Sequence, residues 1–155
     1  MAMPPEDALR RFHQGYNCAQ SLLSAFAPQF GLDEELALRL AGPFGAGIAR
    51  RGEMCGAVSG GLMALGLCYG TVHVEDLQAK RRMYAQAEAF LRRFEQRFGS
   101  LDCRRLLGLD LSQPGNVELA EQRGLFMELC PAFVRGAAEM VETLASQQPP
   151  DLHTR

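Results

Sequence analysis

Tryptophan is absent from this sequence, lysine occurs only at position 80, and no long uninterrupted run of apolar residues is present. The most apolar stretch, residues 57–69, contains three glycines and a serine and is too short for a helix that spans a bilayer. The N-terminal segment carries acidic residues and no apolar core, so it does not resemble a secretory signal. We therefore expect a chain that does not span a membrane and works in the cytosol, where thiols stay reduced.

A large excess of charge and several common motifs are also missing. Sixteen basic residues stand against 18 acidic ones, and this near balance does not indicate a nucleic acid or an anionic membrane as the partner.

The chain has no C-x-x-C, which argues against a thioredoxin-like pair and a zinc ribbon, and no C-x-x-C-H for covalent c-type haem. The glycine-rich segment from Gly42 to Gly52 follows no predicted strand and lacks G-K-[ST]. Nucleotide binding is therefore not favoured, and Arg50 and Arg51 are expected to be solvated, although they could also steer an anionic substrate past Cys55.

Helical periodicity runs through almost the whole chain, and start signals divide it into segments. Pro4 marks the first start, and Asn17, with Gln20 at the capping-box position, marks the second. Pro131 is a residue type favoured at the first helical position, and it predicts the start of the last helix. The other predicted helices cover residues 33–40, 57–69, 74–98, 100–107 and 117–129, and the last of these is expected to be interrupted or weakened at Gly124.

Together these segments predict one all-α domain, a bundle of about six to eight helices. The domain is expected to cover residues 1–148, which is long enough to bury a hydrophobic core, and residues 149–155 are expected to form a flexible tail. Residues 74–98 have the clearest amphipathic pattern and could also provide a homodimer contact. No alternation of apolar and polar residues is long enough to predict a strand.

Four of the five cysteines stand at predicted helix N-termini. Cys18 follows the capping residue, Cys55 opens the helix after the glycine-rich segment, Cys103 lies in the first turn of its helix, and Cys130 directly precedes the proline at position 131. The first turn of a helix presents unpaired N–H groups and the positive end of the dipole, and both stabilise a thiolate. Cys68 lies at the far end of an apolar helix and is predicted to be core.

The four N-terminal cysteines are far apart in sequence, so only the fold could assemble a common site. Their surroundings resemble the C_GCAxxG_C_C family of redox-active proteins in the segments GYNCAQSLLSAF, FGAGIARRGEMCGAVSGGLMALGL, FGSLDCRRLLG and LCPAFVRGAAEM. That family is described by four cysteines, one of them inside a C-G-A-x-x-G element, which here begins at Cys55. The other three positions match Cys18, Cys103 and Cys130. The resemblance extends from about residue 12 to residue 140.

The resemblance implies a redox site built from these four cysteines. Members of the family are associated with transporter loci, and a related segment occurs in split-Soret cytochromes, where cysteines are linked with an iron–sulfur centre. An iron–sulfur cluster is therefore the implied cofactor, with zinc as a second choice. All four cysteines would be ligands, and Gly56, Ala57 and Gly60 would let backbone N–H groups approach the sulfurs.

Three hypotheses for function follow. The first is an oxidoreductase or electron carrier, whose redox partner the sequence does not name. In its thiol form Cys55 is the nucleophile, and Cys18, Cys103 or Cys130 resolves the mixed disulfide. The second is a non-catalytic module that holds zinc, and the third is a helical adaptor for a transporter with merely buried cysteines. His13 could act as a base for a nearby thiol, but we interpret it as a surface histidine.

Overall fold

The computed structural model describes residues 3–147, and helices account for most of this part of the chain. The eight α-helices are α1 (Pro4–His13), α2 (Cys18–Phe26), α3 (Glu34–Ala41), α4 (Gly56–Tyr69), α5 (Leu77–Phe98), α6 (Cys103–Leu107), α7 (Asn116–Gln122) and α8 (Leu125–Ala145). Two short 3₁₀ helices, Ala27–Phe30 and Gly42–Phe44, lie on either side of α3. The prediction of one all-α domain is confirmed for residues 3–147, which contain no strand. The predicted tail at 149–155 lies outside the described residues.

The predicted capping signals account for several of the observed helix starts. Asn17 caps α2 through a complete capping box: its Oδ1 accepts the N–H of Gln20 at 2.9 Å, and Gln20 Oε1 accepts the N–H of Asn17 at 3.1 Å. Asp76 caps α5 by accepting the N–H of Ala79, so this helix begins three residues later than predicted. Within residues 3–147, every helix is too short or too polar to span a bilayer.

The core centres on the close approach of α2 to α4, which small residues permit. A Cβ added to Gly60 would lie 2.8 Å from the carbonyl oxygen of Ala19 and 2.8 Å from the Cβ of Leu22. A Cβ added to Gly61 would lie 2.5 Å from the ring of Phe90, which belongs to α5. The predicted helix of small residues is therefore confirmed, and its glycines allow α2 and α5 to pack tightly on its two sides.

Phenylalanines pack α5 against α8 behind this helix. Phe90 and Phe94 are fully buried, and the ring centroids of Phe94 and Phe98 lie 4.7 Å apart. Phe133 of α8 meets the ring of Phe98 edge-on at 5.2 Å. Aromatic pairs in these orientations bury large apolar areas and gain additional energy from their ring quadrupoles. This contact anchors the middle of α8, just beyond Cys130.

The predicted start of the last helix is wrong. α8 begins at Leu125, so both Cys130 and Pro131 lie inside it rather than at its N-terminus. The break falls at Gly124, whose φ of 68° is left-handed, a conformation that glycine adopts without the steric cost of a Cβ. Pro131 is tolerated within the helix, at the cost of the backbone hydrogen bond that its missing N–H would donate.

We expect Gly60→Ala to lower the free energy of unfolding by about 1 to 3 kcal/mol, because the added methyl group would meet the backbone of α2. Gly66→Ala is the matched control in the same helix. Nothing lies within 4 Å of its added Cβ, so it should raise the free energy of unfolding by about 0.5 to 1 kcal/mol. Chemical denaturation of both variants checks this, and equal effects of the two would contradict the packing of α2 on α4.

Candidate functional site

All four cysteines singled out by sequence lie in the lining of one pocket of about 550 Å³. The helices that bring them there are α2 for Cys18, α4 for Cys55, α6 for Cys103 and α8 for Cys130. Their relative exposures are between 4% and 9%, so the thiols lie at the inner wall of the pocket rather than on the protein surface. The fold therefore brings together four thiols that are dispersed over more than a hundred residues of sequence.

A short backbone pairing aligns the segment before α4 with the segment before α6. The N–H of Cys55 donates to the carbonyl of Leu101 at 2.8 Å, and the N–H of Cys103 donates to the carbonyl of Glu53 at 2.6 Å. Between these bonds Met54 and the residue at position 102 form an isolated antiparallel bridge. The pairing sets Cys55 opposite Leu101 and Cys103 opposite Glu53, so each cysteine is next to the same bridge. It is too short to produce an alternating pattern, so the sequence carried no sign of it.

The start of α2 is tied to the glycine-rich segment and to α4. Besides capping the helix, Asn17 donates from Nδ2 to the carbonyl of Gly42 at 3.0 Å. A Cβ added to Gly56 would lie 3.0 Å from the Cβ of Cys18, so the first residue of α4 touches the first residue of α2. Gly56 thus has a definite use in the site, because only the absence of a side chain lets Cys18 lie there.

Cys18 and Cys130 are joined by a side-chain hydrogen bond. The Cys18 thiol donates a hydrogen bond to the sulfur of Cys130, and this bond holds the pKa of Cys130 below its ordinary value of 9.0. The same hydrogen bond, together with burial and the neighbouring sulfurs, raises the pKa of Cys18 well above that value. The pair therefore shares one proton readily, and Cys130 is the sulfur that becomes a thiolate first.

The pKa values of Cys55 and Cys103 are raised, in contrast to the lowered pKa of Cys130. Burial raises the pKa of Cys55 to about 12, although the N–H groups of Ala57 and Val58 act to lower it. Burial, followed by the charge of Cys55, raises the pKa of Cys103 to about 12. The predicted helix-start effect is thus present at Cys55, but loss of solvent outweighs it.

A left-handed turn forms the wall of the pocket that precedes Cys55. Its five consecutive residues, 46–50, all have φ between 50° and 70°, and only Gly47 among them is a glycine. The N–H of Ala49 donates to the carbonyl of Pro43 at 2.7 Å, and later N–H groups donate to carbonyls inside the turn. Left-handed residues with a Cβ cost roughly 1 to 2 kcal/mol each. This turn therefore stores strain beside the thiols, as backbones at functional sites often do.

Gly47 determines how closely the left-handed turn approaches Cys103. A Cβ at this position would lie 2.7 Å from the Cβ of Cys103 and 2.6 Å from the backbone nitrogen of Glu53. The turn can therefore rest directly on the start of α6. The carbonyl of Glu53 also accepts the N–H of Cys103. The left-handed turn, the backbone pairing and Cys103 therefore all meet at Glu53.

The remaining residues considered from the sequence lie in three places: beside the pocket, in the core and at the surface. Ala57 is buried behind Cys55 and offers its N–H to that sulfur, whereas Gly60 serves the packing of α2 on α4. Cys68 is 1% exposed and outside the lining, as predicted for a core residue. His13 is exposed, which confirms the interpretation as a surface histidine.

Sequence reasoning missed the residues that complete the pocket. Tyr16, Glu121 and Met127 are exposed residues of the lining. Arg50, expected to be solvated or to steer an anionic substrate past Cys55, is also exposed and lines the pocket. Apolar side chains form much of the remaining wall: Phe12, Leu106, Leu107, Val117, Phe126 and Phe133. Most of the missed residues come from α6, α7 and the first half of α8. The mistaken break at Pro131 hid this arrangement, because it separated residues 126 and 127 from the helix that carries Cys130.

Four thiols are a donor set that both zinc and iron–sulfur clusters use. The arrangement of the side chains does not match a single bound metal ion. Among the described residues, no group of three or more His, Cys, Asp or Glu side chains is placed to hold one. The pKa values of Cys18, Cys55 and Cys103 are all raised, so metal binding at these sulfurs would have to release a proton from each.

Comparison with known proteins agrees with the cysteine pattern. The model of the family described as "Putative redox-active protein (C_GCAxxG_C_C)" matches residues 16–144, a region that contains all four cysteines of the pocket. No curated protein and no solved structure matches the chain. The resemblance inferred from the sequence is therefore confirmed at the level of the family.

We expect Cys18→Ala to raise the pKa of Cys130, because the variant lacks the thiol that donates to the Cys130 sulfur. In the unsubstituted protein, thiolate absorbance in the ultraviolet should show one group per chain that ionises below the ordinary value of 9.0. That early step should disappear in Cys18→Ala and persist in Cys68→Ala, the matched change of a buried thiol outside the pocket. An unchanged early step in Cys18→Ala would contradict the assigned hydrogen bond.

Ala49→Gly should stabilise the protein, in contrast to the usual effect of this change. Ala49 is exposed and left-handed, with φ of 50°, so removal of its Cβ relieves strain. After the greater freedom of glycine in the unfolded chain is subtracted, we expect a gain of roughly 0.5 to 1 kcal/mol. Ala85→Gly, at an exposed position inside α5, should lose about 0.5 to 1 kcal/mol. Similar losses in both variants, measured by denaturation, would show that the turn is not strained.

Proposed function

Because this chain belongs to the C_GCAxxG_C_C family, we propose that it acts by dithiol–disulfide chemistry with Cys18 and Cys130 as the reactive pair. The observations that carry the proposal are that both thiols line one pocket and that they interact with each other, which lowers the pKa of Cys130. A disulfide requires two sulfurs to reach bonding distance, and two thiols that already interact are the pair best placed to do so. The pair also lines a pocket that opens to solvent, so a substrate can reach it.

In the proposed reaction Cys130 attacks and Cys18 resolves. The Cys130 thiolate attacks a substrate disulfide, which forms a mixed disulfide and releases one thiolate. Cys18 then transfers its proton to the released thiolate, and its sulfur attacks Cys130. This second step releases the other half of the substrate as a thiolate, which takes a proton from water. The products are a Cys18–Cys130 disulfide and two substrate thiols, and the protein has lost two electrons.

Cys130 replaces Cys55 as the nucleophile in this proposal. The sequence favoured Cys55 because it opens α4, but burial raises the pKa of its thiol to about 12 and keeps it protonated. Cys130 lies inside a helix, and a hydrogen bond from a neighbouring thiol lowers its pKa instead. The thiolate is the attacking species, so the lower pKa decides the assignment. A reducing compartment such as the cytosol, expected from the sequence, would return the pair to its dithiol form.

A second candidate function is one-electron transfer through an iron–sulfur cluster. One observation favours it: four cysteines from four helices line a single pocket. A bound cluster would supply the electron-transfer chemistry, and Cys18, Cys55, Cys103 and Cys130 would hold it. Because the pKa values of three of these thiols are raised and cluster ligands are thiolates, cluster binding would have to release a proton from each of the three.

Mild oxidation of the full chain, purified without oxygen, should produce one disulfide between Cys18 and Cys130. Mass spectrometry should record the loss of two hydrogen atoms per chain, and peptide mapping should identify the bridge. Cys18→Ser and Cys130→Ser should each abolish it, whereas Cys68→Ser should leave it unchanged. A bridge between Cys55 and Cys103 in the unsubstituted protein, or no bridge at all, would overturn the assigned pair.

The same anaerobic preparation separates the two candidate functions. A colourless protein without bound iron that forms the bridge supports dithiol chemistry. A brown protein that contains iron, and loses it when any one of the four pocket cysteines is replaced by serine, would favour the cluster and contradict the dithiol proposal. Visible absorption and metal analysis of the unsubstituted protein and of Cys68→Ser, as the matched control, provide the comparison.

A further inference from the structure

The pocket carries two charged side chains of opposite sign in addition to the thiols. Arg50 comes from the left-handed turn and Glu121 from α7, and both are exposed residues of the lining. Within residues 3–147 neither forms an ion pair, whereas the neighbouring Arg51 is paired with Glu53 at 3.1 Å. The solvent end of the pocket therefore offers one positive and one negative group that are free to contact a ligand.

The size of the pocket restricts what can reach the sulfurs. Its volume of about 550 Å³ is in the range of sites that enclose small molecules. Because the four cysteines are at most 9% exposed, a disulfide on the surface of a folded protein would have to enter the pocket to be attacked. A small disulfide can enter freely. Its methylene groups and sulfurs would contact the apolar wall, which includes Phe12 and Phe126.

We propose that the pocket takes a low-molecular-weight disulfide with amino-acid ends, whose carboxylate meets Arg50 and whose ammonium group meets Glu121. This inference rests on the proposed dithiol function and adds the substrate class. The reaction is the balanced exchange given above: the substrate S–S bond breaks, a Cys18–Cys130 bond forms, and two small thiols leave. The opposite charges of Arg50 and Glu121 select the substrate. A disulfide without the carboxylate or without the ammonium group would lose one of the two contacts.

Three small disulfides test the inference with the reduced full chain. They share a two-carbon chain on each sulfur and differ in their charged end groups. L-cystine carries both end groups, cystamine carries only the ammonium groups, and 3,3′-dithiodipropionate carries only the carboxylates. The measured quantity is the second-order rate constant for formation of the Cys18–Cys130 bridge. For each probe the rate constant of a variant is divided by that of the unsubstituted protein, which removes the different intrinsic reactivities of the three disulfides.

Arg50→Gln should slow the reaction of cystine and dithiodipropionate by roughly two- to fivefold and leave that of cystamine unchanged. Glu121→Gln should slow cystine and cystamine by a similar factor and leave dithiodipropionate unchanged. Arg51→Gln and Glu118→Gln are the matched controls, since both residues are exposed and lie outside the lining. Neither control should alter the rate with any probe by more than the experimental error.

Other outcomes separate a failure of this inference from a failure of the proposed function. If all probes form the Cys18–Cys130 bridge but neither Arg50→Gln nor Glu121→Gln changes any ratio, the substrate class is wrong and the dithiol pair stands. If the disulfides of insulin oxidise the pair faster than cystine does, the pocket is not restricted to small molecules. If no probe produces the bridge, the proposed function itself is wrong.

Discussion

The close contact of α2 with α4 is the interaction on which the rest of the structure depends. Gly56 and Gly60 have no side chains, so the start of α2 can rest on the backbone of α4, and Cys18 then lies beside Cys55. Every other part of the pocket is arranged around this contact. Gly45 approaches Asn17 and the carbonyl of Phe44 approaches Gly56, so the segment before the left-handed turn lies against both helix starts. Cys130 of α8 interacts with Cys18. Side chains at these glycines would press α2 away from α4.

Helix starts were the part of the site that local sequence could predict. Asn17 caps α2 as expected, and Cys18, Cys55 and Cys103 all lie at or next to the first residue of a helix. These features depend on a few neighbouring residues, which is why a single sequence reveals them. Cys130 was misplaced because proline favours the first turn of a helix, whereas a left-handed glycine at position 124 made the actual break. Two local signals competed there, and only the packing of α8 decided between them.

The electrostatics of the thiols could not be predicted in the same way. The helix-start argument treats each cysteine alone and predicts thiolates at all four positions. The fold instead buries the four together, where loss of solvent and the neighbouring sulfurs raise the pKa of Cys18, Cys55 and Cys103. Only at Cys130 does a hydrogen bond lower the pKa, and the donor lies 112 residues away in sequence. Burial and long-range contacts of this kind leave no local pattern. The position of Glu121 in the pocket wall was missed for the same reason.

The contact between Cys18 and Cys130 joins the second helix of the chain to the last one. A covalent bond at this point would close a loop of about 110 residues, and chain-entropy arguments assign such a cross-link roughly 4 to 5 kcal/mol of stabilisation. Most of the domain lies within that loop. The oxidised protein would therefore resist unfolding and proteolysis more than the reduced one, and the redox state of its surroundings would influence how long each molecule persists in a cell.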